Sequence, residues 1–199
     1  MRRTTFDALL TAVGIGLAAI LLIAGGLLTW GYTFTNSQVH NQLAAQKIYF
    51  PPTGSAELTA LPTADRAAIS AYAGQQLVDG QQAQAYADHF IAVHLQAIGG
   101  GKTYSQLSAA ALAQPTNTKL AAQVQTMFRG TTLRGLLLNA YAFGTMGTIA
   151  GIAAVAAFIA AAVMLVLSGL GLWHSRRVSP ATEVMTGQHE RIPDPTTTV

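Results

Sequence analysis

Residues 8–30 read ALLTAVGIGLAAILLIAGGLLTW, 23 positions without a charged side chain, against the roughly 20 that a helix needs to cross a bilayer. A stretch of this length and composition reads as a membrane span. Met1-Arg2-Arg3 in front of it resembles the n-region of a secretory signal, and with Phe6 faintly a twin-arginine signal. The apolar stretch is longer than either signal carries, and the following GYTFTNSQVHNQ shows no A-x-A-like cleavage site, so the reading is an uncleaved anchor.

A second charge-free stretch runs 25 residues from Ile149 to Trp173, and a semi-apolar lead-in, LLLNAYAFGTMGT, begins at Leu136. The expected long helix is therefore 136–173. Its 38 residues extend about 57 Å, roughly twice the hydrocarbon thickness. Part of it is expected to stand clear of the membrane, or the helix to bend at Gly144 or Gly147. Trp30 and Trp173 close the two spans, with Tyr32 and Tyr141 near an interface, as an aromatic belt places them.

The composition of the whole chain agrees. Of 199 residues 51% are hydrophobic and only 10% charged, against about a quarter charged in soluble domains, which excludes an ordinary soluble domain, a disordered polyelectrolyte and a coiled coil. A net charge of +3, from 11 Lys+Arg and 8 Asp+Glu, is too weak to argue for nucleic acid. With no cysteine there is no disulfide framework, thiolate nucleophile, zinc ribbon or iron–sulfur cluster.

Orientation follows mainly from Arg2 and Arg3, since the next basic residue after the first span is Lys47. Around the second span the local vote is split, with Arg129 and Arg134 before it and Arg176 and Arg177 after it. Two spans put both termini on one side, and the first helix usually dominates, so both termini are expected in the cytoplasm. The resulting plan is a cytoplasmic N-terminus at 1–7, a first span at 8–30, an extracytoplasmic helical domain at 31–135, the long helix at 136–173, and a cytoplasmic tail at 174–199. That tail, with three prolines, many hydroxyls and no apolar periodicity, is expected to be disordered. The fold class is an all-α plasma-membrane protein: two transmembrane helices with a helical bundle inserted between them.

The outer segment reads as helices. Ile69, Tyr72, Ala73 and Leu77 recur at helical spacing after Thr63-Ala-Asp, and Asp79-Gly80 stops them. Ala83, Tyr86, Ala87, Phe90, Ile91, His94 and Ile98 form the next stripe, closed by the cap Gly99-Gly100-Gly101. A short helix fits Tyr104 to Ala113, ended by Pro115. Thr116 or Asn117 caps a further helix through Phe128, and Gly130-Thr131-Thr132 leads into the last. Tyr49-Phe50-Pro51-Pro52 and Pro62 mark a loop, and the stripe Tyr32, Thr35, Val39, Leu43 carries the first span upward as a helix.

Candidate chemistry is sparse. Gly100-Gly-Lys-Thr103 resembles the end of a phosphate-binding loop, but position 96 is Gln where that pattern requires Gly, and the string follows a helix; a helix cap is the better reading, and no nucleotide is expected. His40, His89 and His94, with Asp88 beside one of them, are the material of a two-His-one-carboxylate site. Yet His89 and His94 are about 140° apart on one α-helix, and His94 belongs to the apolar stripe as a hydrogen-bonded core histidine while His89 falls among exposed positions. Glu57, Asp65, Asp79 and Asp88 read as four isolated acids on polar faces, and no G-x-S-x-G turn exists for a serine nucleophile. No metal, catalytic residue or cofactor is therefore assigned.

Inside the spans no ionisable residue lies between Ala8 and Trp30 or between Ile149 and Trp173, which argues against an ion or proton pathway formed by this chain alone. Small residues are frequent there: Gly14, Gly16, Gly25 and Gly26 in the first span, and Gly147-x-x-x-Gly151 in the second, a helix-packing face. The two spans pack on each other through it, or it docks another subunit or a second copy. Arg176-Arg177 reads as a stop-transfer anchor that touches anionic lipid. Thr197-Thr198-Val199 has the form of a peptide that adds to a sheet edge in a PDZ-like groove, and the tail threonines are candidate phosphorylation sites.

Four strings, HNQLAAQKIYFPP from His40, YADHFIAVHL from Tyr86, GGKTYSQLS from Gly100 and FRGTTLRGLLLNAYAF from Phe128, together resemble a family of uncharacterised two-pass membrane proteins of actinobacteria, over residues 2 to about 177. Some members are labelled aromatic ring-opening dioxygenases, a label that no motif here supports. The resemblance implies the topology and an envelope location and says nothing of mechanism.

Three functions remain as expectations. The first is a non-enzymatic membrane protein, an accessory or scaffold component of a cell-envelope complex whose partners are the lipid bilayer and another membrane protein or a second copy. The alternative is an extracytoplasmic lipid or small-ligand sensor whose groove is lined by Tyr72, Tyr86, Phe90 and His94 and which relays occupancy through the last helix. The third is a metal-dependent enzyme built on the histidines.

Overall fold

The computed structural model describes residues 3–177. Met1, Arg2 and the segment 178–199, with the expected tail and its Thr197-Thr198-Val199 end, lie outside the described residues. Two long helices carry the chain: α1 (Arg3–Gln46, 44 residues) and α7 (Thr118–Arg177, 60 residues). Between them in sequence are α2 (Ala56–Thr59), α3 (Thr63–Ser70), α4 (Gly80–Tyr86), a π-helical turn (Ala87–Ile91), α5 (Ala92–Gly99) and α6 (Tyr104–Leu112). Over their most apolar 18 residues, α1 and α7 have mean hydropathies of 2.4 and 2.7, long and apolar enough to cross a membrane. All regular secondary structure among the described residues is helical. The described chain divides into two compact units, one from the ranges 3–27 and 154–177, the other Leu28–Ala153.

The second unit, central in the sequence, has a core of large side chains, with Phe50, Ile69, Leu77 and Leu137 each under 2% exposed. Val39 and Leu43 of α1, Leu58, Leu61 and Ile91 complete it. Phe50 reaches this core because α1 stops at Gln46, Lys47 adopts a left-handed φ of 53°, and the next residues run extended. Phe50 N–H donates to the Gln75 carbonyl at 2.9 Å, Leu77 N–H to the Ile48 carbonyl at 2.9 Å, and Gly74 N–H to the Pro51 carbonyl at 3.3 Å. This short antiparallel contact explains why α3 ends at Ser70, where the stripe Ile69, Tyr72, Ala73, Leu77 predicts one longer helix. Gly74 turns the chain at φ 72°, and pairing with 48–51 satisfies the backbone that further helix would have satisfied.

Asp79-Gly80, expected to stop a helix, starts one. The Asp79 carboxylate accepts from Gln82 N–H at 2.8 Å while the Gln82 side-chain oxygen accepts from Val78 N–H at 2.7 Å, a reciprocal N-terminal cap. Gly80 is needed for packing: a Cβ there would stand 3.2 Å from the Ala140 carbonyl oxygen and the Tyr141 Cα, and 3.4 Å from the Gly144 Cα. The segment that follows faces the core with Ala83, Ala87, Ile91, Leu95 and Gly99, a four-residue repeat. On a regular helix such a repeat drifts about 40° per step; the wider π turn at Ala87–Ile91 takes up part of that drift. The consequence is a correction: His94 and Ile98, expected on the buried stripe, are exposed.

Gly100-Gly-Lys-Thr103 joins two caps. Gly100 at φ 58° closes α5, and Thr103 opens α6 with a capping box to Gln106. The last helix differs from its expected bounds of 136–173 at both ends, beginning at Thr118 and continuing past Trp173 to Arg177, so the first four residues of the expected tail are helical. Asn117 caps its start, its side-chain oxygen accepting from Leu120 N–H at 3.0 Å. Gly130, expected to interrupt, stays helical because the Leu95 side chain lies where a Cβ would stand; that packing offsets the roughly 1 kcal/mol by which glycine disfavours a helix.

In the other unit α1 and α7 meet through small residues. The buried positions are Thr11, Ala18 and Gly25 on α1 and Ala154, Ala161 and Ser168 on α7, each set at seven-residue spacing, the repeat of closely packed helices. A Cβ at Gly25 would stand 2.8 Å from the Phe158 ring, one at Gly171 would stand 3.1 Å from Thr11 Oγ1, and Gly14 lies directly against Ser168. Large side chains such as Leu10, Ile20, Ile23, Ile159 and Val166 are over 60% exposed.

Candidate functional site

The four residues expected to line a groove form an aromatic row within the central unit. Phe50, buried, packs tilted on Tyr72 and edge-on to Tyr86, each at 5.2 Å between ring centroids. Tyr86 stacks on Phe90 at 4.8 Å and Phe90 on His94 at 4.4 Å, because four-residue steps along α4, the π turn and α5 keep these side chains in register. Tyr72, Tyr86 and Phe90 are half-buried and packed against the core. His94 ends the row at the surface, its Nδ1 bonded to the Phe90 carbonyl at 2.7 Å. Burial, and then the negative charge of Glu57, push the Tyr86 hydroxyl above the ordinary tyrosine pKa of 10.0.

Two acids that read as isolated are paired. Asp65 on α3 meets His89 Nδ1 at 2.9 Å, and Asp88 accepts from Arg134 Nη2 on α7 at 2.7 Å. The consecutive Asp88 and His89 of the π turn thus reach two different helices and tie the turn between them. Only tertiary structure could supply these partners, which lie 24 and 46 residues away in sequence. His40 lies on α1, and among the described residues no group of three or more metal-ligating side chains gathers.

A cleft of about 500 Å³ opens between α1 and α7 within the central unit, and its lining is a different set from the aromatic row. Val39, Leu43 and Leu137 form its floor. Gln38, Gln42 and Gln46, one helical turn apart on α1, and Asn139 on α7 supply exposed amides; Phe34, Leu136 and Phe143 form apolar walls. Sequence reading missed this cleft, although the repeated Gln38-x-x-x-Gln42-x-x-x-Gln46 beside Val39 and Leu43 was a legible signal of an amphipathic face. A second cavity of about 450 Å³ in the same unit is polar, with Tyr32, Asn36, Asp79, Tyr141, Thr145 and Thr148 around it.

Gly147 and Gly151 face α1 of the same chain. A Cβ at Gly147 would stand 3.2 Å from the Asn36 side-chain oxygen and one at Gly151 2.9 Å from the Tyr32 ring. The glycines suspected of bending α7 are therefore close-approach sites: Gly144 meets Gly80, and Gly147 meets Asn36. In the other unit, a cavity of about 440 Å³ lies beside Asp7, Leu10, Met164, Leu167 and His174. No protein-family model, no curated protein and no solved structure matches this chain.

Proposed function

We propose that this chain is a two-span integral protein of the plasma membrane, both termini cytoplasmic, that acts by contact as an accessory or scaffold component of an envelope complex. Residues 31–135 form its extracytoplasmic helical part. One observation carries this reading: the most apolar 18-residue stretches of α1 and α7 are only 17% and 11% buried. Water does not tolerate so much apolar surface on a stable fold, so lipid and partner helices are its natural cover. The chain contains no cysteine, which makes a clean test possible. Cysteine placed at Gln114 should react with a membrane-impermeant maleimide in intact cells, and cysteine placed at His174 only after permeabilisation. Photo-crosslinkers at Leu27 and Ile159 should then trap one stoichiometric membrane protein or a second copy. Trapping neither would sink the scaffold role, and inverted labelling would sink the orientation.

A second reading, a lipid or small-ligand sensor, is favoured by the α1/α7 cleft. Its volume falls within the range of small-molecule sites, roughly 300–1,000 Å³.

A further inference from the structure

We propose that the cleft between α1 and α7 holds the hydrocarbon chain of an uncharged membrane lipid whose hydroxyl, ester or glycosyl group is bonded by the amide row of α1. This rests on the membrane reading above and gives the sensor alternative its ligand class.

The cleft is elongated, since Phe34 to Gln46 spans about 18 Å of helix at 1.5 Å per residue, long enough to lay a chain along the floor. Its walls are apolar and open: Phe34, Leu136 and Phe143 are 51%, 59% and 58% exposed, although they lie outside both charge-free stretches. Charge complementarity selects the headgroup. All the lining residues are uncharged, so nothing there neutralises a phosphate, the task that Lys and Arg perform in sites for anionic lipid. Gln38, Gln42 and Gln46 instead offer donors and acceptors in equal measure, which suits hydroxyl, ester and sugar oxygens. Continuity with the bilayer selects the source. At the end of the cleft nearest the spans, Phe34 stacks on Trp30 at 5.4 Å, and Trp30, which closes the first charge-free stretch, is 65% exposed. This aromatic step joins the apolar end of the cleft to the span, a path by which a lipid chain can enter.

The test uses the full chain in nanodiscs of neutral lipid doped with one of two photoactivatable probes, a diazirine-bearing monoacylglycerol or a diazirine-bearing phosphatidylglycerol, with labelled peptides read by mass spectrometry. The neutral probe should label 34–46 and 136–143, and unlabelled monoacylglycerol should compete it away. Gln42→Trp, at an exposed position, fills the cleft and should lower that labelling about tenfold, the scale on which pockets reject misfitting groups, with labelling near Ile159 unchanged. Phe143→Ala, also exposed, removes a wall and should lower it without disturbing folding, so the proposal does not hang on one variant. Equal labelling by both probes, or labelling unmoved by either substitution, overturns the lipid assignment. A second copy or another protein helix trapped in the cleft overturns it too, while leaving the membrane reading intact. Absence of labelling in both charge-free stretches would instead overturn the membrane reading itself.

Discussion

The two units of this chain bury opposite kinds of residue. In the central unit the interior holds Phe50, Ile69, Leu77 and Leu137, whereas between α1 and α7 of the other unit it holds Ala18, Ala154, Ala161, Thr11 and Ser168 with the large aliphatics outside. The difference is what the membrane reading proposed above expects of its two solvents. Where water surrounds the fold, burying a large apolar side chain is worth about 1.5–3 kcal/mol, so the large ones go in. Where lipid surrounds it, leucine gains nothing by turning inward, and close backbone approach through small residues supplies the attraction instead.

The sharpest way to break this comparison is a pair of truncations. Phe50→Ala should destabilise the central unit by about 3–5 kcal/mol, read from denaturant unfolding in mild detergent, whereas Ile159→Ala, at a site 61% exposed, should change stability by less than about 0.5 kcal/mol. Similar losses for both would mean that the second unit has a conventional core. Enlargement gives the mirror image. Gly25→Leu drives a side chain into the Phe158 ring and should weaken the α1/α7 contact by about 1–3 kcal/mol, while Gly16→Leu enters open space and should be neutral in the same assay. If Gly16→Leu proves the more damaging in native membranes yet neutral in detergent, the outer face of α1 carries a partner there.

Smaller effects probe the ties of the π turn. Asp88 and Arg134 remain about a third exposed, so a double-mutant cycle with Asp88→Asn and Arg134→Met should return about 0.2–1 kcal/mol. A coupling well above that range would mark the turn as more desolvated than its exposure indicates. Smallest is a pH effect at Tyr86. Its neutral form is favoured by folding, so its contribution is intact below pH 10.0, where the unfolded chain still binds the proton, and is lost as pH rises toward the higher folded value. Tyr86→Phe should flatten the alkaline fall in melting temperature; an unchanged slope would show that other tyrosines dominate it.

The long helices, the α5 cap at Gly100 and the α6 start at Thr103 are legible because each depends on residues within one or two turns. The places where structure departs from the pattern depend on distant partners. Residues 71–77 read as helix until their backbone pairs with 48–51. Gly130 reads as a break until Leu95 covers it, and the stripe through His94 reads as buried until the π turn rotates it away. The candidate site divides likewise. The amides of Gln38, Gln42 and Gln46 are visible in α1 alone, but no local pattern says that Leu137 and Ala140, a hundred residues later, form the other side of a cleft.

By itself, then, the sequence determined that this is a helical chain with two charge-free stretches long enough to cross a bilayer, because hydropathy and helical periodicity act locally and add along the chain. Tertiary structure alone decided that Asp65 meets His89, that Asp88 meets Arg134, that Gly80 and Gly144 touch, and that a cleft opens between α1 and α7. Those pairings are set by close packing between elements distant in sequence, where one side chain excludes another, and composition carries no record of which surfaces meet.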